Sequence, residues 1–149
     1  MDNTDMNRMQ KRVFVGGLAC VAGLVGFSPA WADAHLHCQV SYAGSTQTVL
    51  ATPTDDPYRV AAVDIAGRFR FKPVLVRQAE QLGQVRYVNI YVYLQTERQP
   101  VLLQQAKYLP PYPPPGPDGR IALTGEQRLY AGPMERELIY QCELMAVAP

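Results

Sequence analysis

The chain has 149 residues, of which 48% are hydrophobic and 18% charged, and its formal net charge at pH 7 is +1. From residue 35 onward it carries eleven Lys and Arg against ten Asp and Glu. This balance excludes the basic excess that nucleic-acid binding requires, so we expect no nucleic-acid partner. Residues 35–149 suit one domain that is large enough to bury a core.

The amino terminus has the three zones of a cleavable secretion signal. A basic start is followed by residues 13–27, an apolar run without charge. This run is shorter than the about 20 apolar residues that a membrane span needs. Two small-x-small sites follow, so we predict a signal peptide over residues 1–34 that is cut after Ala32 or Ala34. The alternatives are a helix of the core and a retained membrane anchor. The mature protein is expected in the periplasm, without a membrane span.

The cysteines agree with export. Cleavage removes Cys20 and leaves Cys38 and Cys142, which have one possible intramolecular pairing in an oxidising compartment. Two separate thiols, or a metal pair completed by His35 and His37, are the alternatives. A disulfide is favoured because a two-cysteine metal site needs further ligands.

Hydrophobic periodicity predicts strands. Apolar and polar residues alternate with a period of two over 36–42, 68–72, 87–95 and 138–145, and 101–108 follows Pro100 as a further strand. Turns are predicted at 43–45, Gly67 and Gly83, a loop at 53–57 and a possible helical turn at 76–82. The expected fold is an all-β, small antiparallel β-sandwich or barrel of about seven or eight short strands.

The parity of the cysteines refines this prediction. Cys38 and Cys142 share the parity of the aliphatic residues in their strands, so both sulfur atoms are expected in the core. The first and last strands are then neighbours or face each other.

Catalytic motifs are missing from the sequence. The two histidines lie at the amino-terminal edge of the domain, both cysteines are assigned to a disulfide, and the carboxylates are scattered or in turns. Hydrolytic triads and proton shuttles require such groups in a cleft. We therefore expect a protein that is not an enzyme.

Three tyrosines form the first candidate site. Tyr87, Tyr91 and Tyr93 share one face of a predicted strand, and tyrosine is favoured at protein interfaces. We predict that this face binds an unknown envelope protein or a small ligand. The alternative is that loops cover the rings, since tyrosine is also common in strands.

The processed amino terminus forms the second candidate site. An α-amine, two amide nitrogens and a third-position imidazole bind Cu(II) in a square plane. Cleavage after Ala32 exposes Asp33-Ala34-His35, which resembles the amino-terminal copper motif of serum albumins over these three residues. Cleavage after Ala34 exposes His35-Leu36-His37 instead. Copper is thus a possible cofactor, with His35 and His37 as candidate ligands.

Two further features of the sequence are not assigned to a functional site. Residues 109–117 contain six prolines and are expected to be an extended, exposed connection. Arg68, Arg70 and Lys72 form a basic stripe that either holds an anion or protects an edge strand from pairing.

Overall fold

A computed structural model describes residues 34–78, 84–134 and 136–145. These residues form an all-β fold of ten strands in two sheets, with one short 3₁₀ helix at Pro57–Arg59. Apart from Ala34, the predicted signal peptide lies outside the described residues. The strands are β1 His35–Tyr42, β2 Ser45–Ala51, β3 Pro53–Thr54, β4 Val63–Ile65, β5 Phe69–Arg77, β6 Val85–Leu94, β7 Val101–Tyr108, β8 Arg120–Ala122, β9 Gln127–Ala131 and β10 Arg136–Met145.

Two five-stranded sheets make up the fold. The first sheet has the order β2-β1-β10-β8, and β9 also pairs with β10. The second sheet has the order β3-β5-β6-β7, and β4 also pairs with β5. All pairs are antiparallel except β3 with β5, and neither sheet closes into a barrel within the described ranges. The sandwich form of the prediction is therefore the correct one.

The β1–β2 hairpin shows how local sequence sets the start of the fold. Ala43 and Gly44 join the two strands, with φ values of 49° and 78°. Two consecutive positive φ values define the turn whose twist matches that of the flanking strands, and glycine adopts such values without steric cost. The predicted turn at 43–45 is thus confirmed.

The core lies between the two sheets. Alternate residues of β1 and β10 face alternate residues of β5 and β6, and their apolar side chains are excluded from solvent. Aromatic rings join the layers, since Phe71 of β5 lies 5.2 Å from Tyr140 of β10, centroid to centroid. The Tyr140 hydroxyl donates a 2.8 Å hydrogen bond to Gln104 Oε1 of β7. This bond satisfies a polar group that would otherwise be costly to bury.

The first and last strands are neighbours, as the cysteine parity predicts. Cys38 pairs directly with Cys142 in the β1–β10 ladder, with Cα atoms 4.0 Å apart, and the two residues form a disulfide. Both are buried in the core. Such a bridge is typical of proteins that fold in an oxidising compartment. No helix in the described residues is long and apolar enough to cross a membrane.

Three details differ from the sequence-based prediction. Ten strands are present rather than seven or eight, because strands such as β3, β4 and β8, of two or three residues, are too short for a period-two pattern. Part of the predicted loop at 53–57 is β3. Val76 and Arg77 belong to β5 rather than to a helical turn, since pairing with β6 overrides the local pattern. Residues 79–82 of the predicted turn, and the turn predicted at Gly83, lie outside the described residues.

Candidate functional site

The outer surface of the second sheet carries the three predicted tyrosines. Tyr87, Tyr91 and Tyr93 are half-buried, whereas Val88, Ile90 and Val92, between them in the sequence, are buried in the core. The predicted parity is therefore confirmed. We call this surface the tyrosine face; it comprises Arg70, Lys72 and Val74 of β5, Tyr87, Asn89, Tyr91 and Tyr93 of β6, and Leu102, Gln105 and Lys107 of β7.

Strand pairing arranges the tyrosine face in rows across the sheet. Neighbouring strands lie about 4.8 Å apart, so residues within one row are in reach of each other. A β-bulge in β7 shifts the register between Val92 and Tyr93 of its partner strand, and this shift keeps Leu102 on the outer surface. The rows are Arg70, Tyr93 and Leu102; Lys72, Tyr91 and Gln105; and Val74, Asn89 and Lys107.

Two of the tyrosine rings lie parallel to each other, and lysine ammonium groups lie over two rings of the face. The rings of Tyr91 and Tyr93 have centroids 6.3 Å apart and planes within 17° of parallel. The Lys72 Nζ lies 6.0 Å from the Tyr91 ring centroid, and the Lys107 Nζ lies 4.5 Å from the centroid of Tyr87. Contacts at these distances are attractive, because a cation is drawn to the negative face of an aromatic ring.

The hydroxyl of Tyr93 is held in its neutral form. Burial raises the pKa of Tyr93 above its usual value, and the neighbouring Tyr91 raises it further. The hydroxyl therefore keeps its proton to a higher pH than an exposed tyrosine does.

One buried polar side chain lies in the middle of the tyrosine face. Asn89 is 7% exposed, and its Nδ2 donates a 3.0 Å hydrogen bond to the Tyr91 hydroxyl. Its Oδ1 has no hydrogen-bond partner among the described residues. Buried polar atoms are normally paired, so an unpaired one calls for an explanation.

Charge is distributed unevenly between the two sheets. Strands β5, β6 and β7 carry five cationic residues and no acidic one. Among the described residues, no carboxylate lies within ion-pair distance of Lys72 or Lys107. Arg77 of β5 pairs with Asp55 at 3.1 Å, and in the first sheet Arg120 pairs with Glu143 at 3.3 Å and Arg128 with Glu137 at 2.9 Å.

The basic stripe is divided by the fold. Arg68 precedes β5, whereas Arg70 and Lys72 lie on the tyrosine face. Arg70 does not protect an edge strand, because β5 has a neighbouring strand on each side at this position. Arg70 lies opposite Asp64 of β4 and opposite Tyr93 of β6. This interpretation of the stripe is therefore wrong for Arg70.

Sequence reasoning missed two members of the tyrosine face. Lys107 and Gln105 have the same parity in a predicted strand, but nothing in the sequence pairs that strand with the tyrosines. The scarcity of lysine is a sequence feature that could have indicated these positions. Lys72 and Lys107 are the only two lysines after residue 11, and both lie beside a tyrosine ring.

The predicted proline-rich connection borders a separate cavity. Residues 109–117 form no strand, and all except Tyr112 are exposed, as expected. The cavity has a volume of about 330 Å³ and is lined by prolines of this segment together with Ile121 and Leu144. Burial raises the pKa of Tyr112 to about 12, and its hydroxyl has no hydrogen-bond partner in the described residues.

The candidate copper ligands lie on the first sheet. His35 and His37 are half-buried on its outer surface, at the beginning of β1. The 4.0 Å separation of Cys38 and Cys142 marks a pair without mutual backbone hydrogen bonds. Hydrogen-bonded and non-hydrogen-bonded pairs alternate along an antiparallel ladder. The backbone amides of His35 and His37, at hydrogen-bonded positions of this alternation, therefore donate to β10. The described residues contain no group of three or more His, Cys, Asp or Glu side chains that could hold a metal ion.

Comparison of the chain with protein-family models, with curated proteins and with solved structures finds no match. The architecture defines the chain as a disulfide-bonded β-sandwich protein. Its activity is therefore inferred from the geometry of its own surfaces.

Proposed function

We propose that this is a non-catalytic periplasmic or secreted protein that binds a ligand or an envelope partner through the tyrosine face. The observation that supports this function most is the adjacent pair of rings at Tyr91 and Tyr93 on the outer side of the sheet. These rings are half-buried without belonging to the core between the sheets. Large aromatic groups in such positions supply much of the contact energy at binding sites.

Electrostatics supports the same surface. Lys72 and Lys107 lie over tyrosine rings, and their charge is not neutralised by a described carboxylate. A partner with complementary charge is thereby attracted and oriented. The export of the protein is supported by the signal-like sequence of residues 1–34 and by the disulfide.

Substitution of the rings tests this proposal. Tyr91→Ala and Tyr93→Ala are expected to weaken capture of the ligand from envelope extract by at least about tenfold, as loss of a contact residue at a binding site does. Tyr130→Ala is the matched control, because Tyr130 is 62% exposed on the first sheet. Capture should be measured beside thermal unfolding. A large loss of stability without selective loss of capture would contradict the proposal.

Copper binding by the processed amino terminus is the second candidate function. The position of His35 favours this function. His35 is the first residue of β1, and its imidazole is partly exposed to solvent. When Asp33 is first, the copper site needs the amides of Ala34 and His35, so one terminal ladder bond must open. When His35 is first, it needs the amides of Leu36 and His37, which both lie inside β1 between β2 and β10, so two ladder bonds must open. We therefore propose the frame that begins at Asp33.

The two frames give opposite mutational results. In the Asp33 frame, His35→Ala abolishes the square-planar visible band of Cu(II), and His37→Ala retains it. A variant with one extra amino-terminal residue should also lose the band, because the α-amine is a ligand. Binding weakens as pH falls, since protons compete for the nitrogen ligands. Equal copper uptake by extended and mature chains would overturn the copper hypothesis.

A further inference from the structure

The tyrosine face combines three kinds of group that each recognise a different part of a sugar. The nearly parallel rings of Tyr91 and Tyr93 offer flat apolar ring faces, which match the flat C–H face of a pyranose. Gln105 and the tyrosine hydroxyls offer hydrogen bonds to ring substituents. Lys72 and Lys107 offer positive charge on either side of β6.

The charge of the face narrows the kind of sugar. The three strands that build it have no acidic residue, and no described carboxylate lies within ion-pair distance of Lys72 or Lys107, so a neutral ligand would leave these two cations without a partner. An anionic group placed near Lys72 or Lys107 gains attraction from both lysines, which lie on the same surface. Clustered cations of one sign raise the local concentration of an oppositely charged ligand.

An acidic polypeptide would also satisfy the charge, but it fits the rings less well. Asp and Glu side chains are short and flexible, and they present no flat apolar face to two adjacent tyrosines. A chain of anionic pyranoses presents a flat face and a charge in every repeat. The rings and the lysines are then both used by one ligand.

From these observations we infer that the ligand of the tyrosine face is an anionic polysaccharide, whose pyranose rings stack on Tyr91 and Tyr93 and whose acidic groups pair with Lys72 and Lys107. This inference rests on the proposed function and names the chemical class of its ligand. Carboxylate and sulfate groups share the required chemistry, so separate probes distinguish them.

Binding of the mature protein to four probes tests the class of ligand. Polygalacturonate supplies anionic sugars with carboxylates, dextran sulfate supplies them with sulfates, dextran supplies neutral sugars, and poly-L-glutamate supplies charge without sugars. We expect binding of polygalacturonate, dextran sulfate or both, at least about tenfold tighter than that of dextran and poly-L-glutamate. Equal binding of dextran would overturn the anionic part of the inference, and equal binding of poly-L-glutamate would overturn the sugar part. Failure to bind both anionic glycans would overturn it entirely.

Charge variants test the residues. The double variant Lys72→Gln/Lys107→Gln should weaken binding of the anionic glycan by about tenfold, since two exposed charge pairs are each worth a few-fold. The double variant Arg120→Gln/Arg128→Gln lowers the net charge equally but acts on the first sheet, so it should retain binding. Equal losses in the two double variants would show that only net charge matters and would overturn the inference.

The two lysines also allow direct observation of the face. Reductive methylation with ¹³C-formaldehyde labels Lys72, Lys107 and the amino terminus while keeping their charge. Added polygalacturonate should shift the methyl signals of both lysines, and about 300 mM salt should reverse the shifts through screening. Movement of the amino-terminal signal alone would overturn the inference.

The proposed function and this inference fail in different ways. If Tyr91→Ala abolishes capture from envelope extract while Lys72→Gln/Lys107→Gln leaves it unchanged, the tyrosine face binds a neutral ligand, and only the inference fails. If neither variant changes capture, both fail. Loss of capture and of polygalacturonate binding in both variants supports both.

Discussion

The two sheets of this protein have similar sizes but use their polar groups differently. The outer surface of the first sheet neutralises its own charges, since Arg120 and Arg128 are paired with glutamates. The outer surface of the second sheet retains cations, a buried amide atom without a described partner and half-buried tyrosine rings. Groups that a fold leaves unsatisfied are more informative about binding than groups that it satisfies. The comparison therefore supports the proposal that binding takes place on the second sheet.

The largest expected effect concerns the disulfide of the first sheet. Replacing both Cys38 and Cys142 by alanine should lower the free energy of unfolding by about 2–5 kcal/mol, because the bridge constrains a loop of sequence separation 104 in the unfolded chain. Denaturant unfolding at neutral pH measures this loss. Binding at the tyrosine face should persist in the folded fraction. Thiol labelling of unreduced, unfolded wild-type protein would contradict the bridge itself.

A second effect concerns the buried hydroxyl of Tyr112 in the proline-rich connection. Burial raises the pKa of Tyr112 to about 12, against about 10 when unfolded. The neutral form is favoured in the folded state, so stability is fully present below pH 10 and lost as pH rises from about 10 to about 12. With allowance for partial exposure of Tyr112, the loss is about 2 kcal/mol.

Thermal unfolding from pH 9 to pH 12 measures this alkaline loss. Tyr112→Phe should reduce it, whereas Tyr58→Phe, at a side chain that is 90% exposed, should not. Burial also raises the pKa of Tyr140, so part of the loss should remain in Tyr112→Phe. An unchanged alkaline profile in Tyr112→Phe would show that this hydroxyl is not buried in solution.

A third, smaller effect concerns the amide at the centre of the tyrosine face. Asn89→Val removes a buried polar group that is only partly satisfied, so stability should stay within about 1 kcal/mol of wild type, on the stabilising side. It also releases the Tyr91 hydroxyl, so glycan binding should weaken. Denaturant unfolding and glycan titration of the same sample check both expectations. A destabilised variant with normal binding would assign Asn89 a structural role instead.

The smallest effect tests the paired charges of the first sheet. A hydrogen bond from Tyr130 lowers the pKa of Glu137, and one from Arg128 lowers it further. The stability that this carboxylate contributes is present above its usual pKa and lost as pH falls through the lowered pKa. Arg128→Gln should slightly lower the melting temperature at pH 7 and low salt. Lys72→Gln breaks no described ion pair and should leave the melting temperature unchanged. Equal changes in melting temperature for the two variants would contradict the difference in charge pairing between the sheets.

Several features followed from the sequence alone because they depend on neighbours along the chain. The alternation in β1, β6 and β10 determined which residues face the core, since successive side chains of a strand point to opposite sides. The same alternation put Tyr87, Tyr91 and Tyr93 on one face, and the cysteine parity brought Cys38 and Cys142 into the core. Strands β3, β4 and β8 escaped prediction because two or three residues do not establish a period.

Other features were decided by the tertiary structure, because they depend on which strands pair and in what register. Lys72 and Lys107 lie 35 positions apart in the sequence, and only their pairing with Tyr91 and Asn89 of β6 puts them on one surface. In the sequence, Asn89 is indistinguishable from an exposed polar residue of a strand, and only the packing of the folded chain shows that it is buried. Periodicity along one strand determines a face, whereas the composition of a binding surface is determined by register between strands, which no single strand encodes.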